Sequence, residues 1–299
     1  MRVAITGATG RLGSLLVREL TARGDAVTIL TRNPAKAPSG VDAVQWDPSA
    51  GPAPADALSG RDAIVHLAGE DIAQRWSDAA LERIRSSREL GTRNLVDGLR
   101  AADPRPRVLV SASAVGYYGN RHDPVDEDAP PGDDVLAEIC AVWEREAERA
   151  AELGLRVVRV RTGVVLDRHG GALAKMLLPF RAGVGGPVAG GRQPLPWIHV
   201  EDVVGIYMQA IDDERWSGPV NATAPEPVSN RDFSHALGRA LHRPAVMPVP
   251  GFALRLLYGG MAKLVLEGQR ALPRRALALG YEFRHPDIDE ALRSALRDT

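Results

Sequence analysis

The sequence predicts an α/β fold: a doubly wound parallel sheet carrying a smaller C-terminal α/β lobe. Three observations predict it. Short runs of Val, Ile, Leu and Ala recur along the chain, separated by stretches of helical periodicity. The runs read as strands covered on both faces, as parallel sheets require. The first of them, Val3-Ala-Ile5, leads into a turn punctuated by Gly7, Gly10 and Gly13, and then into a helix with Leu12, Leu15, Leu16 and Leu20 on one face.

The glycines of that turn have separable physical jobs. One permits the tight strand-to-helix turn, one lets backbone approach a diphosphate with no Cβ between, and one lets the helix pack closely on the strand. The free N–H groups and the dipole of the first helical turn suit an anion. Thr6, Gly7, Thr9, Gly10, Arg11, Leu12 and Gly13 are therefore candidate contacts of a dinucleotide, and the sheet is expected to be of Rossmann type.

Composition narrows the class. Of 299 residues, 44% are hydrophobic and 25% charged, with a formal net charge of -1. That balance gives no support to nucleic acid or an anionic membrane as the main partner. Cys140 is the single cysteine, which excludes an intrachain disulfide and a thiolate metal cluster and suits a reducing compartment. No apolar leader precedes the first strand and no run reaches the length of a membrane span, so a cytoplasmic location is expected. The frequency of Ala, Arg, Gly and Pro points to a GC-rich bacterial genome.

The second strand, Ala26-Val-Thr-Ile-Leu30, ends at Arg32, with Lys36 close behind. An acidic residue there would suit NAD(H); a guanidinium suits a 2′-phosphate, and Arg11 adds a second cation. The expectation is NADP(H), with NAD(H) the alternative. Ala43-Val-Gln-Trp46 is the third strand, and Asp47 after it either accepts from the adenine amino group or begins a turn. The connection over 48–60 holds at most one helical turn. Asp62-Ala-Ile-Val-His66 is the fourth strand, and Leu67, Ala68 and Gly69 let backbone pass beneath the ribose of a cofactor.

A long helix over 78–102 ends before Pro104, and Val108-Leu-Val110 is the fifth strand. It runs into Ser111, a candidate cofactor contact, and then Ser113, Tyr117 and Tyr118. Hydroxyls at the carboxyl end of a central parallel strand point into the crevice, where they can hold a carbonyl or alkoxide and relay its proton. A helix over 134–153 leads to the sixth strand, Arg156-Val-Val-Arg-Val160. Arg161 beyond it either bonds to carbonyls or meets substrate. The glycines between 170 and 191 permit a mobile cover over a cleft or an irregular loop. At Trp197-Ile-His199-Val-Glu-Asp202 the chain returns, with Asp202 read as an N-cap. Val220-Asn221-Ala222 is a further strand, and Ser229 caps a helix to Leu241. The apolar stretch 251–266 reads as one helix in the core of the lobe; an exposed version would mark a homodimer surface. A last helix over 288–296 closes the chain. No grouping offers metal spacing. Residues 1–166, with sheet elements returning at about 197–222, form the dinucleotide-binding unit, and 167–299 form mainly the substrate lobe.

Taken together, these motifs resemble the extended short-chain dehydrogenase/reductase superfamily. The residues that carry the resemblance are Thr6-Gly-Ala-Thr-Gly-Arg-Leu-Gly13, Leu67-Ala68-Gly69, Ser111-Ala-Ser113 with Tyr118-Gly119, and Trp197-Ile-His-Val-Glu-Asp202. Trp143-Glu144, Arg161-Thr-Gly163, Gln269-Arg-Ala-Leu-Pro273 and Gly280-Tyr-Glu-Phe-Arg-His-Pro286 are similar to its poorly characterised epimerase-family branch. The resemblance covers essentially the whole chain. It implies a nicotinamide cofactor and a sugar-nucleotide-like, polyol or carbonyl substrate. It also implies a Tyr and a Lys four residues later on the helix after the serine loop, yet Leu136 and Cys140 stand there. Ser113 is carried over as a catalytic candidate, with Tyr117 and Tyr118 as substitutes for the missing acid. A catalytically silent, NADP(H)-binding regulator is the alternative that this gap motivates.

Overall fold

Strands form where the short apolar runs lie, and the computed structural model describes them within residues 1–297. The strands β1 (Arg2–Thr6), β2 (Ala26–Thr31), β3 (Asp42–Gln45) and β4 (Ala63–His66) come from the first quarter of the chain. They are joined by β5 (Val108–Ala114), β6 (Arg156–Thr162) and β7 (Gly218–Ala222). All pair in parallel in the order β7-β6-β5-β4-β1-β2-β3. The order reverses between β1 and β4. Connections leave in opposite directions there, so the carboxyl ends of those two strands open a crevice.

Helices cover both faces, and the two-residue period of the strands decides which side chain meets which helix. Val3 and Ile5 point toward α1 (Arg11–Ala22) and α5 (Val200–Asp212), in one core with Leu16, Leu20, Ile206 and Tyr207. Ala4, Ile64, Leu109 and Val157 belong to the opposite core, with Leu95 and Leu99 of α2 (Asp78–Ala101) and Ala147 of α3 (Val135–Glu148). Ser77 starts α2 by accepting from the Ala80 N–H at 3.2 Å, and Asp134 starts α3 by accepting from Leu136 and Ala137. A third core builds the C-terminal lobe from α4 (Gly171–Arg181), α6 (Asn230–Leu241) and α8 (Ile288–Leu296), through Leu177, Phe180, Leu237 and Leu292.

Two expectations are corrected. Asp202 does not cap α5. His199 does, its Nδ1 accepting from the Glu201 N–H at 3.2 Å. Asp202 sits one turn in, fully buried, and its carboxylate accepts from the N–H groups of Arg284 and His285. The stretch 251–266 is not one helix in the lobe core. Gly259, at φ +59°, breaks it into α7 (Gly251–Tyr258) and a single turn at Lys263–Leu266. None of α7 is buried, and Phe252 and Leu256 are 73% and 77% exposed.

The start of α1 is the tightest packing in the crevice. A Cβ on Gly13 would lie 2.4 Å from the Gly7 carbonyl oxygen and 2.7 Å from the Ala8 Cα. Helix propensity alone makes Gly13→Ala favourable by about 1 kcal/mol. The steric clash is with rigid backbone, so Gly13→Ala is instead expected to destabilise by about 2 kcal/mol. Urea unfolding checks the sign; a midpoint at or above the parent's would show that this turn is looser than described.

Candidate functional site

The crevice begins with a crossing of two backbones. Gly7 has φ +71°, and a Cβ there would sit 2.6 Å from the Leu67 carbonyl carbon. Only glycine lets the β1 turn lie this close to the end of β4. Thr6 ties the two together: its hydroxyl oxygen accepts from the Leu67 and Ala68 N–H groups at 3.3 Å. That leaves the Thr6 O–H to donate to His66 Nδ1, at 2.7 Å. His66 therefore carries its proton on Nε2, which donates to Thr92 at 3.1 Å. Burial pushes this imidazole down to about 4, so it stays neutral.

Beyond Gly7, α1 begins at Gly10 with no side-chain cap and no acidic residue in its first turn. Its leading N–H groups face outward beside exposed Thr9 and Gly10. Uncapped donors in a cradle that side chains cannot enter are the fit a dinucleotide diphosphate requires. Arg32 stands exposed after β2, with no hydrogen bond or ion pair among the described residues. Arg11 does not join it. Its guanidinium pairs with Asp167 through Nε, and through Nη2 at 3.2 Å, and so turns toward the segment leading into the lobe. Asp47 is exposed and begins a turn, accepting from the Ser49 N–H and hydroxyl at 3.0 and 2.7 Å. Those hydrogen bonds, with Arg32 nearby, hold its carboxyl below the usual range.

The hydroxyls in and just after β5 meet a different fate. Ser113 is buried and donates to Glu144 Oε1 at 2.7 Å. Arg161 grips the same carboxylate with Nε at 2.8 Å and Nη2 at 2.9 Å, and its Nη1 reaches the Tyr118 hydroxyl and the Glu127 carbonyl. Tyr118, wholly buried, donates onward to Asn221 Oδ1 at 2.7 Å. Asn221 Nδ2 then bonds the Leu272 carbonyl. Burial pushes the Tyr118 phenol up to about 12 despite the adjacent guanidinium. Ser111 is buried too, its hydroxyl spent on the Ala112 carbonyl. Tyr117 is the exception. It is half-buried with the Arg161 guanidinium 3.6 Å over its ring, and its hydroxyl has no protein partner among the described residues.

Comparison with known proteins identifies the family. Residues 3–221 match the model of the NAD dependent epimerase/dehydratase family. The chain belongs to that family. Residues 249–295 match a domain of unknown function, DUF1731. An epimerase family protein SDR39U1 homolog, chloroplastic, of Arabidopsis thaliana is 42% identical over 99% of this chain and 87% of its own. The crystal structure of human epimerase family protein SDR39U1 (isoform2) with NADPH superposes with TM-score 0.88, at 37% identity over 99% of both chains. A nucleoside-diphosphate sugar epimerase from Corynebacterium glutamicum gives TM-score 0.80 at 36% identity, over 99% of this chain and 58% of that one.

The two positions where the resemblance implies a Tyr and a Lys, Leu136 and Cys140, lie on α3. Cys140 is buried, and burial with the nearby Glu144 pushes its thiol up to about 12, so it is a packed, protonated group. Leu136 packs near Gly116 and carries no proton chemistry. Glu144, one turn further along, was noted only as part of the resemblance and not as the partner of Ser113 and Arg161. The available signal was an acid on an apolar helix face, one turn from Cys140. His66, Asp167, Asn221 and Glu127 were also missed, because nothing local marks the partner of a buried polar group.

Tertiary contact also gathers His199, Glu201 and His285, whose ligand atoms lie within 4.8 Å of one another. His285 Nδ1 bonds Glu290 at 2.8 Å and its Nε2 meets Glu201 at 3.3 Å. Against the pull of burial, those two carboxylates raise its pKa. His199 stacks on it at 3.8 Å and is pushed down to about 4, by burial first and then by this neighbour. The group locks the Gly280–Pro286 segment to the start of α5. Among the described residues no helix is long and apolar enough to cross a membrane.

The neutral His66 makes stability depend on pH. Its folded pKa, about 4, lies below the ordinary value of 6.5, so the unfolded chain binds more protons between the two. Its contribution is complete above about pH 6.5 and is lost as pH falls toward 4, about 3 kcal/mol in all. Thermal melts from pH 7.5 to 4.5 should show this decline, and His66→Gln should flatten it. An unchanged slope in the variant would assign the decline elsewhere.

Proposed function

We propose that the chain binds NADP(H) and acts as an oxidoreductase or epimerase on a sugar-nucleotide-like, polyol or carbonyl small molecule. The observation that carries this reading is the pairing of an uncapped diphosphate cradle at Gly7–Gly13 with an unpaired guanidinium, Arg32, on the β2 side. A 2′-phosphate is the group a free cation at that strand end suits. Support comes from the human relative solved with NADPH. The sugar-nucleotide class is supported by the Corynebacterium glutamicum protein named for it.

Bound there, a nicotinamide would supply the hydride exchange. The chain would orient the substrate and manage one proton. Ser113 and Tyr118, expected to do this, spend their hydroxyls on Glu144 and Asn221. Tyr117 keeps a free hydroxyl at the carboxyl end of β5, and it is the acid–base group we assign. Thr6 and Leu67–Gly69 shape the floor, and Asp47 stands at the adenosine end. A cytoplasmic location is part of this reading, supported by a sequence with a single cysteine. The exposed apolar residues of α7 supply a surface for a homodimer.

A second reading, a silent NADP(H)-binding regulator, is favoured by Leu136 and Cys140 and by the two committed hydroxyls. Turnover separates the two. With a panel of nucleoside-diphosphate sugars, polyols and carbonyl compounds, the purified protein should exchange hydride with NADP(H). Tyr117→Phe should cut that rate by about a hundredfold or more while the fold is kept. Tight retention of NADPH with no turnover across the panel would favour the regulator, and an unimpaired Tyr117→Phe would remove that tyrosine from the chemistry.

For the cofactor, Arg32→Ala should weaken NADPH binding by about tenfold and NADH binding by less than twofold. Calorimetric titration of both measures the ratio. Equal losses would overturn the 2′-phosphate assignment.

A further inference from the structure

One cation in the crevice remains unassigned. Arg88 lies on α2, half-buried, with its guanidinium packed under Gly69: a Cβ on that glycine would be 3.5 Å from Arg88 Cζ. Its Nη1 donates to the carbonyls of Glu70 and Ile84, both at 3.1 Å. The Trp143 ring of α3 lies 4.9 Å from Cζ. No carboxylate comes within ion-pair distance among the described residues; the nearby Glu70 is engaged by Gln74 and Arg83. Among the described residues Nε and Nη2 have no protein acceptor, and neither is sealed from solvent. Half-buried and without a counterion, the guanidinium keeps two donors that something else can complete.

Position says what that something is. The diphosphate cradle lies at the end of β1, and Arg32 takes the adenosine side over β2. The other half of an extended dinucleotide must then run over β4 and β5, across Leu67–Gly69. Arg88 meets that path from below. Gly116, after β5, lies beside Cys140, whose Sγ would be 3.8 Å from a Cβ on that glycine. Cys140 offers no charge to this space, and α2 supplies one in its place. Burial draws the Arg88 guanidinium below its ordinary value, but at any working pH it is charged.

We propose that Arg88 binds the nicotinamide half of the dinucleotide, its Nε and Nη2 donating to the ribose hydroxyl oxygens that pass over Gly69. This deepens the NADP(H) reading and rests on it. It assigns to α2 the positive charge that α3, with Leu136 and Cys140, does not carry.

The test compares whole and truncated ligands on the full chain. NADPH carries both halves, whereas adenosine 2′,5′-bisphosphate carries only the half near Arg32. Arg88→Met is expected to raise the Kd for NADPH about tenfold or more and to leave the Kd for the bisphosphate within twofold. Arg88→Lys, which keeps the charge on a shorter reach, should recover part of the loss. Far-UV circular dichroism and a melt accompany each protein. If Arg88→Met does not fold, Arg88→Lys is read by the same ratio, with a selective loss of about threefold expected. Unchanged NADPH affinity would overturn the proposal. So would equal losses for both ligands, because Arg88 would then act only through the fold. A wild-type chain that binds neither ligand would instead overturn the NADP(H) reading.

Discussion

The structure depends on one close approach, the backbone of Gly7 against the end of β4. No side chain fits between them, and Thr6 and His66 hold the crossing with hydrogen bonds that force one neutral tautomer. This contact sets the depth of the crevice at the switch point of the sheet. It also brings the outward N–H groups of α1 level with Leu67–Gly69, so one ligand can touch both. Gly13 repeats the demand one turn into α1, where any Cβ would strike the same turn. The cradle is rigid because backbone meets backbone.

Charge in the rest of the crevice is divided between closed and open groups. Arg161, Glu144, Ser113, Tyr118 and Asn221 form a buried chain that joins β5, β6, α3 and β7 to the segment at Leu272. Removing one member of a buried ion pair of this kind leaves a charge uncompensated, which costs about 3–5 kcal/mol. The network therefore locks the sheet to its C-terminal partner, and it does so with hydroxyls that a sequence pattern marks as chemical. Among the described residues, Arg32, Tyr117 and Arg88 keep donors without protein partners. Arg11 belongs with the closed groups, since Asp167 takes its charge.

Much of this was legible from residue order. The seven strands fall within a few residues of the apolar runs, and the glycine turn and the helices beginning near residues 78 and 134 follow from local chemistry. Local signals misled where two long-range partners competed for one group. Asp202 reads as a cap, but the Gly280–Pro286 segment folds back to claim its carboxylate, and His199 caps instead. The stretch 251–266 reads as core because it is apolar, but Gly259 breaks it and α7 is left on the surface.

What the sequence determined by itself was the sheet, its glycine turn and the protein family, because these rest on spacing within a few residues. The tertiary structure decided which polar groups are spent and which are free. Ser113 and Tyr118 are spent on Glu144 and Asn221, 31 and 103 residues away. A buried donor must find an acceptor wherever the fold provides one. That choice is made across the sheet, between residues whose separation along the chain carries no trace of it.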